Sequence, residues 1–132
     1  FRADGGSSIT GTTASTFTFN GSGGSTGSVT MTWQKIGNWV TLNIPALSAT
    51  TGTTSTSLIN NTALPAAVRP TINQRCPAPS MTNNGAAYID TGRLQIGTDG
   101  IITITLDGGA TAWTNTAIGG IGTATSYTYF IG

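Results

Sequence analysis

Two stretches of this chain place an apolar side chain at every second position: Val29, Met31 and Trp33, then Val40, Leu42 and Ile44. Thr30, Thr32, Thr41 and Asn43 take the other parity, and Gly37-Asn38 lies between the two runs. Successive side chains of a strand point to opposite faces, so this spacing predicts two half-buried strands joined by a tight reversal. An amphipathic helix would need a period near 3.6 and cannot use the same pattern. Phe17 and Phe19 alternate with Thr16 and Thr18 in the same way, ahead of a glycine-rich turn at 21–24. Further strands are expected near 71–76, 80–82, 86–89, 93–96, 101–106, 112–114 and 126–130. Asn84-Gly85, Asp99-Gly100 and Asp107-Gly108, which tolerate positive φ, separate several of them. Pro65 and Pro70 leave room for at most one helical turn in a crossover between them. About eight to ten short strands without a helix read as an all-β antiparallel sandwich, and a jelly roll is favoured.

Domain organisation follows from the same pass. A chain of 132 residues forms one domain and buries enough surface for a core without staples. Residues 1–16, rich in Gly, Ser and Thr, are read as a connector from a stalk into the first strand, and residues 17–132 as the β-sandwich head. The start at Phe1 suggests a piece of a longer polypeptide. The Thr/Ser/Ala/Gly run 48–57 is expected to be a surface loop. The last strand, Tyr127 to Ile131, is apolar or aromatic at nearly every position, which suggests burial on both faces.

Composition then narrows function. The chain has no histidine, its four acidic residues are all Asp, and only 7% of residues are charged. A Ser-His-Asp or Cys-His arrangement needs an imidazole to move the proton, so that hydrolytic chemistry is excluded and no enzyme activity is expected. Asp90, Asp99 and Asp107 form no Asp-x-Asp-x-Asp loop closed by Glu, so no metal site and no cofactor are expected. They are better explained as turn formers and Arg partners than as a glycosidase pair. A net charge of +1 with dispersed Lys and Arg gives no stripe for nucleic acid, and no apolar run is long enough for membrane insertion as a helix. The single Cys76 reads as a small buried hydrophobe. Asn20-Gly21-Ser22 and Asn60-Asn61-Thr62 match the glycosylation acceptor pattern, a coincidence easily met in so Thr-rich a chain. What remains is a hydroxyl-covered surface suited to binding.

From Trp33 onward the chain resembles the C-terminal head domains of phage and other viral tail-fibre or receptor-binding proteins. The resemblance rests on Trp33-Gln34-Lys35-Ile36-Gly37, Val40, Leu64-Pro65, Arg69-Pro70, Gly92-Arg93-Leu94-Gln95-Ile96, Asp99-Gly100-Ile101-Ile102 and the tyrosine strand at Tyr127. Such heads are similar to the complement and tumour-necrosis-factor-like jelly rolls. The resemblance implies a homotrimer at the tip of a fibre or tail, on the virion surface and joined to the rest of the fibre polypeptide. It implies a host cell-surface glycan or receptor as partner, but carries over no binding residue. In the motif itself, Trp33 and Ile36 are expected to supply core bulk and Gly37 the turn.

Candidate binding residues come from the composition of loops. Trp39 and Trp113 both neighbour Asn or Thr, a mixture suited to sugars, whose apolar faces stack on rings while their hydroxyls seek amides and hydroxyls. Trp113 is preferred because it follows the turn at Asp107 and lies near a loop, and Asn115 goes with it. Asn83, Asn84 and Tyr88 around Gly85 form a second candidate loop. The expected function is multivalent attachment to a cell-surface saccharide through such loops. The alternatives are a trimerisation and folding cap without a ligand, or the head of a bacterial collagen-like surface protein.

Overall fold

The hairpin read from residues 29–44 is the centre of a large curled sheet. In a computed structural model describing residues 8–78, 80–107 and 111–132, β2 (Thr26–Ile36) and β3 (Trp39–Ile44) pair antiparallel, with Ile36 opposite Trp39. Gly37 has φ 60° at the first central position of that two-residue reversal, a conformation glycine adopts without strain.

Beyond the hairpin come β1 (Ser8–Phe19), β4 (Leu47–Thr50), β5 (Leu58–Asn60), β6 (Gln74–Ala78), β7 (Met81–Asn83) and β8 (Ala86–Ala87). β9 (Gly92–Ile96), β10 (Ile102–Thr105), β11 (Ile118–Ile121) and β12 (Thr125–Phe130) complete the set among the described residues. A 3-10 turn, Ala66–Val68, sits between Pro65 and Pro70, as the two prolines predict. Eight strands form one sheet in the order β12-β3-β2-β1-β5-β10-β9-β6, and four form a second in the order β4-β11-β7-β8. All pairings are antiparallel. The protein is therefore an all-β antiparallel sandwich of the jelly-roll class. Its larger sheet curls until its edges β12 and β6 come together, and the smaller sheet packs through β4 against β1 and β2.

The core fills the space inside the curl. Phe17, Phe19, Met31, Val40, Leu42, Ile44, Leu58, Leu94, Ile96, Ile102 and Ile104 are all fully or almost fully buried there. The crossover around the 3-10 turn is tied down by Arg69, whose Nε donates to the Leu64 carbonyl at 2.7 Å. Tyr129 donates its hydroxyl proton to the Val68 carbonyl at 2.8 Å.

Several expectations change. Residues 8–16, read as connector, are the first part of β1, which pairs with β2 from Ser8↔Ile36 to Thr18↔Thr26. Its inward positions there are Gly11, Thr13 and Ser15, so it lacks the apolar alternation that marks a strand. Residues 1–7 lie outside the described residues. The run 48–57 is not a solvated loop: β4 occupies its start, and Thr51 and Ser55 are fully buried. Their hydroxyls replace a ladder, Thr51 accepting from the Ala117 N–H at 3.0 Å and Ser55 from the Gly52 N–H at 3.1 Å. Residues 112–114 are not a strand. The strand is β11, Ile118–Ile121, hidden from pattern reading by two central glycines. A Cβ on Gly119 would meet the Trp113 ring at 2.8 Å, and one on Gly120 would run into the Leu47 carbonyl oxygen. Finally, β12 is buried on one face only: Tyr127 and Tyr129 point inward while Thr128 and Phe130 are exposed. Its outer row continues the solvent-facing rows of β3 and β2, with which it is in register.

Candidate functional site

Two surfaces carry the chemistry expected of a binding site. The first is the loop end of the smaller sheet, and the structure does gather Asn83, Asn84 and Asn115 there. The Asn83 Oδ1 accepts from the Thr114 N–H at 3.0 Å, and the Asn115 Oδ1 from the Thr54 N–H at 3.0 Å. Asn84 turns the β7–β8 hairpin with φ 55°, and the Gly85 N–H donates to the Ile118 carbonyl at 2.9 Å. Thr54 and Thr116, in the same cluster, also have positive φ, a conformation β-branched residues rarely adopt. The amide oxygens of Asn83 and Asn115 thus brace strained loops.

The other two loop candidates sit elsewhere. Tyr88 lies at the opposite end of the β7–β8 hairpin, its N–H on the Met81 carbonyl and its ring half-buried against the core. Trp113, the preferred stacking residue, is only 1% exposed. It packs edge-on to Phe19 with ring centroids 5.0 Å apart, and so offers no face to a ligand. A large ring beside a Gly-Gly strand has a slot to fill, and burial there removes far more apolar area than exposure on a loop would.

The second surface is the outward face of β1, β2, β3 and β12. Strand register sorts it into rows. The end row holds Phe130, Trp39, Ile36 and Ser8; the next holds Thr128, Thr41, Gln34 and Thr10; the third holds Ser126, Asn43, Thr32 and Thr12. Thr30 and Ala14, then Ser28 and Thr16, continue it along β1 and β2. No side chain in these rows is ionisable. Two shallow depressions lie along the face, one of about 490 Å³ bordered by Thr10, Thr12, Thr32, Gln34, Thr41 and Asn43. The other, of about 370 Å³, is bordered by Ala14, Thr16, Ser28, Thr30 and Thr62. Thr12, Thr30 and Thr32 are exposed, and their hydroxyls have no hydrogen-bond partner among the described residues. Thr41 and Thr128 meet hydroxyl to hydroxyl at 3.1 Å, and the Gln34 Nε2 donates to the Ser8 hydroxyl at 3.2 Å.

At the end of this face Trp39 is 56% exposed and Phe130 46% exposed. Their ring centroids are 5.2 Å apart and the planes are inclined at 59°. The two candidate tryptophans therefore exchange places: Trp39 faces water and Trp113 is core. Parity holds the missed signal. Trp39 shares its phase with Thr41 and Asn43, against Val40, Leu42 and Ile44, and Phe130 is out of phase with Tyr127 and Tyr129. Ile36, expected in the core, lies on this outer face by the same rule, whereas Trp33 packs against the core as expected.

Asp99, Asp107 and the thiol have structural explanations. Asp99 accepts from the Ile101 N–H at 3.0 Å, and Asp107 from the Thr111 N–H at 3.2 Å, both closing turns. Cys76 packs against the core, and burial pushes its thiol up from the ordinary value.

No protein-family model and no curated protein matches this sequence. Among solved structures, the chain is similar to the attachment protein sigma1 of a reovirus, determined in complex with α-2,3-sialyllactose. The TM-score is 0.58 at 14% identity, over 94% of this chain and 66% of that one, just under two thirds of its length. At that identity the likeness is one of fold.

Proposed function

We propose that this chain is the receptor-binding head of a viral fibre or tail, attaching the virion to a cell-surface saccharide and catalysing no reaction. The observation that carries this reading is the outward face of β1, β2, β3 and β12. It is a broad exposed surface coated with hydroxyls and amides, without charge, and ending in two exposed aromatic rings. Water-exposed hydroxyls and amides in register offer many weak hydrogen bonds to a polyol, and the rings offer an apolar platform. A protein partner steered by charge would find no field here. The shared fold with an attachment protein solved on a sialylated sugar supports the same reading.

In this reading the head is a homotrimer on a fibrous stalk, and the host contact is multivalent. Three shallow sites per trimer, repeated over several fibres, raise avidity without tight individual contacts. Glycan-array binding by the purified chain, with its mass measured by light scattering, tests both parts. A trimer that binds at least one class of glycan is expected. Silence across the array from a stable trimer would identify a folding cap instead, and a stable monomer would remove the fibre-tip geometry.

A further inference from the structure

We propose that the ledge formed by Trp39 and Phe130 is the saccharide subsite, and that it takes a neutral hexopyranose rather than a sialic acid. This rests on the attachment reading above and locates the contact on the sheet face instead of the loops. A pyranose has an apolar face of C–H groups and a rim of hydroxyls. Trp39 and Phe130 present exposed ring surface for the first, at 56% and 46% exposure. The rim meets the adjoining row, where the Thr41 and Thr128 hydroxyls lie 3.1 Å apart and Gln34 stands on the next strand. Rows on one face of a strand repeat about every 7 Å, so a ring seated on Trp39 reaches the second row without bridging water.

Charge selects the sugar class. Neither row contains a cationic side chain to pair with a sialyl carboxylate, whereas each hydroxyl and amide can both donate to and accept from neutral hydroxyls. The loop end is less suited, because the amide oxygens of Asn83 and Asn115 already hold backbone N–H groups and Trp113 is buried. A second copy of this chain is a poorer occupant too. Only the end row is apolar, and the core of a stable subunit interface needs apolar side chains over a wider area than one row.

The test is an array carrying neutral galactosides, glucosides, mannosides and N-acetylhexosaminides beside α-2,3-sialyllactose. It is probed with the wild-type chain and with the Trp39→Ala, Trp39→Phe, Thr128→Val and Asn84→Gly variants, each checked by light scattering. Wild type is expected on a neutral glycan. Trp39→Ala should weaken that signal roughly tenfold or more, as removal of a central aromatic contact does. Trp39→Phe and Thr128→Val should weaken it less, and Asn84→Gly should leave it unchanged. Because Trp39 is exposed and Thr128→Val preserves shape, loss of binding without loss of fold is readable from one or the other. Trp39→Ala binding as well as wild type, signal confined to sialylated glycans, or a change of mass on Trp39→Ala would each overturn the proposal while leaving the attachment reading in place. A wild-type chain silent on every glycan would overturn both.

Discussion

Asn60 shows how far a residue's role can depart from its local motif. In sequence it opens an Asn-x-Thr acceptor pattern, yet it is 2% exposed and so closed to modification in the folded chain. Its Oδ1 accepts from the Ile102 N–H at 2.7 Å and its Nδ2 donates to the Thr62 carbonyl at 2.8 Å, joining β5 to the start of β10. Asn60→Ala leaves the buried Ile102 N–H without its acceptor, and is expected to cost about 1–3 kcal/mol in urea unfolding. An unchanged midpoint would mean that these bonds contribute nothing. The tryptophans teach the same lesson with the opposite sign. Trp39 and Trp113 have similar polar neighbours, and only strand parity, available for Trp39 and not for the irregular segment around Trp113, separates the exposed ring from the buried one. The expected loop candidates Asn83, Asn84 and Asn115 do come together, but which of their polar atoms are already engaged depends on contacts from distant segments such as Thr54.

Among the elements, β12 carries the pH dependence. Tyr127 and Tyr129 face the core, and burial pushes both phenols above their ordinary value, helped slightly by the nearby Cys76, while a bond from Thr125 opposes the shift at Tyr127. A raised folded pKa means that the folded chain holds a proton the unfolded chain has released. Stability is therefore intact below the ordinary tyrosine value near 10, and declines as pH climbs above it. The buried Cys76 thiol acts in the same direction and starts the decline slightly earlier. The urea midpoint should fall between about pH 9 and pH 11, and the Tyr127→Phe, Tyr129→Phe double variant should flatten most of that fall. A wild-type midpoint constant over this range would contradict the burial assigned to β12. The elements legible in sequence were those with period-two alternation of large residues, β2, β3, β9 and β10. Those that were missed or misplaced, β1 at its start, β4 and β11, put small or hydroxyl residues at inward positions where a large apolar one would have marked the strand: Gly11, Thr13 and Ser15 in β1, Ala49 in β4 and Gly119 in β11. Packing there is set by a large ring from another segment, Trp33 of the paired strand over Gly11 and Trp113 over Gly119, and no local pattern encodes it.

On the scale of the whole molecule, a sheet curled until its edges meet turns the outward rows of β1, β2, β3 and β12 to water. Fold class was readable from turn spacing and alternation alone, but the choice of face was not, because the same Thr and Ser residues coat solvent rows and fill interior positions such as Thr13, Ser15 and Thr51. In the proposed attachment this uncharged face, rather than the loop end, meets the saccharide. Amide chemical-shift mapping of the purified chain titrated with a neutral methyl hexopyranoside tests it most directly. Shifts are expected to cluster on Gln34, Trp39, Thr41, Thr128 and Phe130, with Asn84 and Asn115 unmoved. Shifts confined to the Asn84 and Asn115 loops, or no shifts at saturating sugar, would contradict it.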